Sequence, residues 1–326
     1  MDMNIAILTG GDSSEYGVSV KSAAEIRNWL DKAGYTTYIV TVNGQEWGVE
    51  SESGRIPVDL NDFSFQNDRQ KVNLDYAWNI IHGSPGENGP IQGYLDMKKI
   101  PYNTAGLLSS ALTFNKHVCK TYLKQYGILS AESRLISRGK PYDMDEIIEA
   151  VGLPCFVKPN KGGSSFGITK VTQPENMKKA IEAAFTEDSD VIIETFIKGT
   201  EVTCGLVKTG SEELIFPLTE IVSGNEFFDF EAKYTQGVAD EITPARISDE
   251  NMKKCQSLAS RIYDYTLSRG IVRVDFIIKG NQFYFLELNS IPGMTRESIV
   301  PQQIRAMDMK EETVLRKVIE DTLGTD

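Results

Sequence analysis

The sequence predicts an α/β fold that turns to α+β in its C-terminal part, and three observations carry that reading. Asn4–Thr9, the turn Gly10-Gly11-Asp12-Ser13-Ser14-Glu15, a helical stretch from about Tyr16 to Ala33 and the run Thr36–Val42 follow in order. Strand, Gly-rich turn, helix and strand make the βαβ start of an open parallel sheet. Near the other end, Ile271–Lys279 and Phe283–Asn289 are apolar runs that flank Gly280-Asn281-Gln282, which reads as a three-residue hairpin loop. With 326 residues, 40% of them hydrophobic, the chain has enough material for two or three domains with cores of their own.

Composition narrows the function. The net charge of −12 argues against a general nucleic-acid binder, while leaving room for a local basic pocket that holds a nucleotide. No apolar run reaches transmembrane length, and MDMNIAILTGG has no basic region of a signal peptide. No membrane partner is expected. Cys119, Cys155, Cys204 and Cys255 are far apart without a CxxC pair, which reads as a reduced cytoplasmic protein with buried thiols. His82 and His117 are the only histidines, too few for a His-based zinc site.

Taken in order, the first glycine turn, GGDSSEYG, does not match the G-x-G-x-x-G dinucleotide fingerprint. It sets backbone N–H groups, hydroxyls and Glu15 at a helix N-terminus, where Glu15 serves either the helix dipole or a ligand. Gln45–Asp75 is polar and irregular, with room for a β excursion. Tyr76–Ile81 is a buried strand that ends in His82-Gly83-Ser84-Pro85-Gly86-Glu87-Asn88-Gly89, a position for ligand contact at a strand's carboxyl end. Gly89–Lys98 is helical, Pro101–Thr104 a short strand, and a domain boundary falls near Asn103.

Leu107–Tyr126 reads as one amphipathic helix with Lys116 and Lys120 on one face, a pattern that usually means a solvated face. Strands follow at Glu132–Ile136, Pro154–Lys158 and Ile168–Val171, with a helix at Met144–Val151. Between the last two strands lies Pro159-Asn160-Lys161-Gly162-Gly163-Ser164-Ser165-Phe166-Gly167. A Gly/Ser loop with Lys158 at its mouth can close over a polyphosphate through backbone N–H groups, although it is not a Walker A loop. Beyond it come a helix at Pro174–Phe185 and strands at Val191–Glu194, Glu201–Lys208 and Glu213–Pro217. Asn225–Arg246 is long, polar and aromatic without period, as lids and binding loops are. Helices at Glu250–Ser268, Ser298–Arg305 and Lys310–Leu323 complete the chain.

The hairpin carries the densest chemistry. With Lys279 facing Phe283, Asp275 lies opposite Glu287 and Arg273 opposite Asn289, so all four polar groups share one face. Val272, Val274, Phe276, Leu286 and Leu288 take the other. Two carboxylates and an amide oxygen form a hard-oxygen site suited to Mg²⁺, and a guanidinium beside it suits phosphate or developing negative charge.

Taken together, these motifs resemble the D-alanine–D-alanine ligases of the ATP-grasp superfamily. GGDSSEYGVS, HGSPGENG, VKPNKGGSSFGITKV, FDFEAKY, RVDF and LELNSIPGMT correspond to that family's motifs in its own order, over nearly the whole chain. The resemblance implies three domains: a Rossmann-like substrate domain at 1–103, a central subdomain at 104–195, and a C-terminal domain at 196–326 with the metal site and the lid. It implies that ATP phosphorylates a first D-alanine and that the amine of a second attacks the acyl phosphate, in the service of peptidoglycan. It places Asp275, Glu287 and Asn289 on two Mg²⁺ ions, with Mn²⁺ as a substitute. Lys116, Lys158, Ser165 and Lys233 join the ATP phosphates, Glu194, Phe196 and Ile197 the adenine, and Glu201 the ribose.

By the same resemblance Glu15 binds the ammonium of the first D-alanine, and Ser164 and Tyr234 link to it as the lid closes. Arg273 and the Gly293 N–H form the oxyanion site, Ser298 holds the carboxylate of the second D-alanine, and His82 lies near the reacting carboxylate. A homodimer is the family expectation. The chain departs from the common pattern at Asn88, at Asn115 before Lys116, at Phe228 and Phe230 in the lid, and at Arg296-Glu297 before Ser298. Tyr234 argues for D-alanine over D-lactate as acceptor, and D-serine stays open. A different ATP-grasp ligase is the nearest rival. A catalytically silent nucleotide-binding protein would need neither Glu287 nor Arg273, and the first glycine turn does not suit a nicotinamide oxidoreductase.

Overall fold

A computed structural model describes residues 3–68, 70–163, 166–223 and 239–324 of the chain. Strand β1 (Asn4–Gly10) is buried almost throughout and lies parallel between β2 (Thr36–Asn43) and β7 (Tyr76–Asn79). A strand covered on both faces needs the continuous apolar run seen here. Helix α1 (Tyr16–Lys32) returns the chain from β1 to β2. The parallel part of this sheet is confined to these three strands. Beyond β2 the sheet continues as an antiparallel meander of β3 (Glu46–Ser51), β4 (Gly54–Asp59), β5 (Ser64–Asn67) and β6 (Gln70–Asn73). The segment 45–75 is therefore more regular than its polarity suggests, because only one face is covered and the other tolerates polar residues. Helix α2 (Pro90–Lys98) follows, and the strand expected at 101–104 reduces to a single bridge between Ala77 and Tyr102.

The single helix expected over 107–126 is two: α3 (Leu107–Phe114) and α4 (Lys116–Lys124). Asn115 breaks them with an extended backbone and caps α4 by accepting the Val118 N–H at 3.0 Å. Asparagine is a strong N-cap former, and that preference overrides the continuing apolar spacing.

A second, antiparallel sheet runs in the order β10 (Thr169–Val171), β9 (Cys155–Pro159), β11 (Asp190–Thr195), β8 (Ser133–Ser137). Helices α5 (Met144–Val151) and α6 (Met177–Glu187) cover one face and close a core of its own around Val157, Ile181 and Ile193. The third sheet holds β12 (Thr200–Lys208), β13 (Glu213–Ile215), β14 (Thr219–Ser223), β15 (Ala239–Ile242), β16 (Val272–Lys279) and β17 (Gln282–Asn289). Helices α7 (Asp249–Tyr265), α8 (Ile299–Arg305) and α9 (Glu311–Leu323) complete the described chain. Of the irregular stretch expected at 225–246, its end forms β15, paired with β14; residues 224–238 lie outside the described residues.

The β16–β17 hairpin differs from the simple register in two places that compensate. Its loop has two residues, with Lys279 opposite Gln282, and pairing proceeds in step to Phe276 opposite Phe285. A bulge then takes up Leu286, after which Asp275 faces Glu287 and Arg273 faces Asn289, the pairs expected from sequence. Side chains alternate faces, so without the extra residue Phe283 and Phe285 would share a face with Glu287 and Asn289. The bulge lets both phenylalanines enter the core while the carboxylate and amide face the other way. Leu286, expected in the core, is only half-buried, and Phe285 fills that place.

The first and third sheets share a hydrophobic core in which Ile5, Ile7 and Trp78 meet Ile291, Met294, Val300 and Ile304. Gly270 sits at their junction with φ +71°, and a methyl group there would run into the Asn103 carbonyl. Gly270→Ala should cost about 3 kcal/mol or more. Gly127 has a similar φ of +73° but open space around it. Gly127→Ala should therefore cost only about 1–2 kcal/mol. Urea unfolding of the two variants checks the difference.

Candidate active site

The first and third sheets border a cavity of about 560 Å³, together with the start of α4 and the turn after β9. Ten residues singled out from the sequence line it: Glu15, His82, Lys116, Glu201, Arg273, Asp275, Glu287, Asn289, Gly293 and Ser298. Lys158, Glu194, Phe196 and Ile197 do not. Ser164, Ser165, Lys233 and Tyr234 lie outside the described residues.

The floor is the polar face of the hairpin. Arg273 donates from Nε and Nη2 to the two oxygens of Asp275, each at 2.8 Å. Asn289 Nδ2 donates to Asp275 Oδ2 at 3.0 Å, and Thr203 Oγ1 donates to Oδ1. Burial works against the Arg273 charge, but Asp275 and Glu287 more than compensate and raise its pKa above the ordinary guanidinium value. Lys116, carried into the cavity by the first turn of α4, lies 3.2 Å from Glu287 Oε2 and donates to the Gly162 carbonyl at 2.6 Å.

Asp275, Glu287 and Asn289 suit a hard cation. Among the described residues, no three His, Cys, Asp or Glu side chains gather to hold a metal by themselves. The donor set is two carboxylates and the Asn289 Oδ1, which leaves coordination positions for phosphate oxygens, as nucleotide-bound magnesium requires. The Lys116 ammonium beside Glu287 already occupies a position where positive charge is stabilised.

The opposite wall comes from the ends of β1 and β7. Ser13 Oγ donates to the His82 carbonyl at 2.9 Å and accepts the Glu15 N–H at 3.2 Å, which ties the two loops together. Glu15 is buried, with its carboxylate against Gly163. His82 is buried too, and its Nε2 has no hydrogen-bond partner among the described residues. Burial, and then the Arg273 charge, push its pKa down to about 4, so the ring is neutral at pH 7.

Glu87 belongs to this wall and was passed over in the sequence, although it stands in the HGSPGENG motif that drew attention to His82. Its Oε2 accepts the Gly83 N–H at 2.7 Å. Burial and the charge of Glu15 push its pKa up to about 8. Lys120 was also missed, as a lysine of a solvated face. It is buried and its Nζ binds Glu194 Oε1. Lys158 Nζ donates to Glu194 Oε2 at 2.9 Å, so both oxygens of that carboxylate are engaged. On the far side of the cavity, Ser298 Oγ accepts the Thr295 N–H at 3.0 Å and lies 3.0 Å from the position a Gly293 Cβ would take.

Three sheets, a hard-oxygen face with lysine and arginine across it, and a glycine loop beside it define an ATP-grasp ligase. Residues 4–105 match the family model described as D-ala D-ala ligase N-terminus, and residues 123–320 match D-ala D-ala ligase C-terminus. The D-alanine–D-alanine ligase of Bacteroides fragilis is 49% identical over 323 residues, covering 98% of this chain and 99% of that one. The VanG D-Ala:D-Ser ligase of Enterococcus faecalis superposes with a TM-score of 0.87 at 30% identity, over 99% of this chain and 100% of that one. The Bacillus anthracis D-alanine–D-alanine ligase complexed with ATP superposes with a TM-score of 0.78 at 27% identity, over 99% and 98% of the two chains. This chain belongs to the D-alanine–D-alanine ligase family.

The neutral imidazole has a stability consequence. In the unfolded chain His82 titrates at its ordinary 6.5, in the folded chain at about 4. Its contribution to stability is complete above pH 6.5 and is lost as pH falls towards 4. Relative to His82→Gln, the wild type should lose about 3 kcal/mol between pH 7 and pH 4. Unfolding curves across that range check the loss. Imidazole NMR of a His117→Gln background, where His82 is the sole histidine, checks the titration.

Proposed function

We propose that this chain joins two D-alanines to D-alanyl-D-alanine, forming ADP and phosphate, in the synthesis of peptidoglycan precursors. The observation that carries the reading is one cavity with Glu15 on one wall and the Lys116–Glu287 and Arg273–Asp275 pairs on the other. An ammonium-binding carboxylate thus faces groups that bind phosphate and stabilise an oxyanion. The 49% identity to a named D-alanine–D-alanine ligase favours D-alanine as acceptor. We read the chain as domains 1–103, 104–195 and 196–326, and the protein as cytoplasmic and homodimeric. Four buried free thiols accord with the cytoplasmic part of that reading, and among the described residues no helix is long and apolar enough to cross a membrane.

The first D-alanine binds with its ammonium on Glu15, whose buried charge the ligand neutralises. One of its carboxylate oxygens attacks the γ-phosphorus of ATP; that O–P bond forms as the bond to the β-phosphate oxygen breaks and ADP leaves. Lys116 and Lys158, with Lys233 and Ser165, hold the phosphates in line. Asp275, Glu287 and Asn289 would hold two Mg²⁺ ions, which neutralise charge on the transferring group. Glu201 takes the ribose, and Glu194, Phe196 and Ile197 form the segment that meets the adenine.

The amine of the second D-alanine, its carboxylate held at Ser298, then attacks the acyl carbon. The tetrahedral oxyanion is met by Arg273 and the Gly293 N–H. The C–N bond forms, phosphate departs with the C–O electron pair, and the amine's extra proton leaves on that phosphate. Ser164 and Tyr234 complete the Glu15 side of the site. Neutral His82, with Nε2 open, can accept a hydrogen bond beside the reacting carboxylate without adding charge.

Phosphate release from ATP should require D-alanine and Mg²⁺, and mass spectrometry of the products should show a dipeptide. Equal release with L-alanine would overturn the substrate assignment, and a panel including D-serine fixes the acceptor. Glu287→Gln should lose turnover by about a hundredfold or more while the protein stays folded. A folded variant with normal Mg²⁺-dependent rates would refute the metal assignment.

A further inference from the structure

The buried cluster of Lys120, Glu194 and Lys158 sets two ammonium groups on one carboxylate. Lys120 Nζ binds one oxygen of Glu194 and Lys158 Nζ the other, at 2.9 Å in the second case. Side-chain exposures are 4% for Lys120, 2% for Glu194 and 15% for Lys158. Two ammonium groups therefore share one carboxylate in a place shielded from water. Glu287 and Glu201 also act on Lys158, so that Lys116, Lys120 and Lys158 stand among three carboxylates, and Lys158 shares Glu194 with Lys120 rather than holding it alone. A carboxylate shared between two ammonium groups compensates each less fully than it would one alone, which leaves Lys158 able to take up an anion that arrives later.

The three residues come from different parts of the fold. Lys120 stands on α4, whose neighbours Cys119 and Leu123 pack into the core of the third sheet. Glu194 and Lys158 stand on the paired strands β11 and β9 of the second sheet, with Lys158 opposite Ile192 and Glu194 opposite Phe156. Lys120 thus reaches from one core to the other and ends on Glu194. Burial lowers the pKa of Lys120, and Glu194 counters that shift. Burial would raise Glu194, but the two lysines pull it down to about 2 and keep it ionised. Burial opposes the charge of Lys158, yet Glu194, Glu287 and Glu201 leave its pKa raised.

We propose that Lys120 is a positioning residue for nucleotide binding: it takes up one oxygen of Glu194, so that Lys158 is held by only part of that carboxylate and can meet the phosphates of ATP. Without Lys120, Glu194 becomes the full counter-ion of Lys158, and a phosphate must break a closed buried pair to gain that lysine. The inference rests on Lys158 as a phosphate ligand, the reading given above.

The test measures Mg²⁺–ADP and adenosine binding to the full chain by calorimetric competition, and reads the ratio of the two affinities. The ratio isolates the phosphate contribution from any change at the adenine. Lys120→Met should lower it about tenfold or more. The double variant Lys120→Met/Glu194→Gln removes the carboxylate charge that would otherwise hold Lys158 and should return the ratio to within about threefold of wild type. An unchanged ratio in Lys120→Met, or a double variant no better than the single, overturns the proposal. If Lys120→Met does not fold, the double variant decides against wild type: a ratio within about threefold supports the proposal, and a tenfold loss overturns it. A wild-type chain that fails to bind ADP would overturn the nucleotide reading itself, a result distinct from any effect of Lys120.

Discussion

One extra residue in β17 decides which way the chemistry faces. Phe283, Phe285, Glu287 and Asn289 are spaced two apart, and an unbroken strand would put all four on one side of the sheet. That side would be either a core with a buried carboxylate and amide or a site with two phenylalanines in it. The bulge at Leu286 changes the phase between the two pairs. Phe285 then packs with Phe276, with ring centroids 6.5 Å apart, while Glu287 faces Asp275 on the cavity side. Bulges recur beside active sites because they re-aim a side chain without ending the sheet.

Once those groups face inward, their charges must be held until substrate arrives. The structure does this with pairs: Arg273 on Asp275, Lys116 on Glu287, Lys158 on Glu194. Each pair joins a carboxylate to a cation that the proposed reaction uses for phosphate or an oxyanion. A buried ion pair is weakly stabilising in itself, because desolvation offsets the attraction. Its components can therefore exchange partners for a bound ligand at modest net cost. Glu87 and His82 solve the same problem by protonation. Burial raises one and lowers the other, so the carboxyl tends to keep its proton and the imidazole to stay without one.

Much of this was legible in the sequence, for reasons that differ by element. Strands β1, β2 and β7, helix α1 and the β16–β17 hairpin follow from apolar runs and punctuation by glycine, whereas β3–β6, β14 and β15 do not, and the pairs 275–287 and 273–289 follow from period-2 alternation. The right pairs emerged although the loop is one residue shorter than expected and the strand one residue longer. Alternation gives the face of a segment but cannot locate a bulge. The break at Asn115 was hidden because apolar spacing continues across it, and an asparagine in mid-pattern reads equally as surface or as cap. Lys120 was misread for a related reason. Helical periodicity places Lys116 and Lys120 together, but a shared face says nothing about whether water or Glu194 lies against it. Glu87 was in plain view, yet its significance comes from burial within reach of the Glu15 charge, an influence between residues 72 positions apart that local pattern does not encode.

The cores explain why the two walls of the cavity can be set against each other accurately. Glu15 and His82 leave the first sheet, and Arg273, Asp275, Glu287, Asn289 and Gly293 leave the third. These sheets are joined by shared apolar packing, from Ile5 and Trp78 through Ile291 and Met294 to Val314 and Ile319 on α9. Close packing resists displacement, so distances across the cavity inherit the stiffness of a protein interior. The second sheet has a separate core and meets its neighbours through polar contacts. Asn160 accepts the Lys116 and His117 N–H groups, Ser14 donates to Glu187 at 3.1 Å, and Lys120 reaches Glu194. Groups that must hold a fixed geometry during bond formation therefore stand on the jointly packed part. Lys158 and the described turn at 160–163 stand on the sheet whose contacts can be exchanged one hydrogen bond at a time.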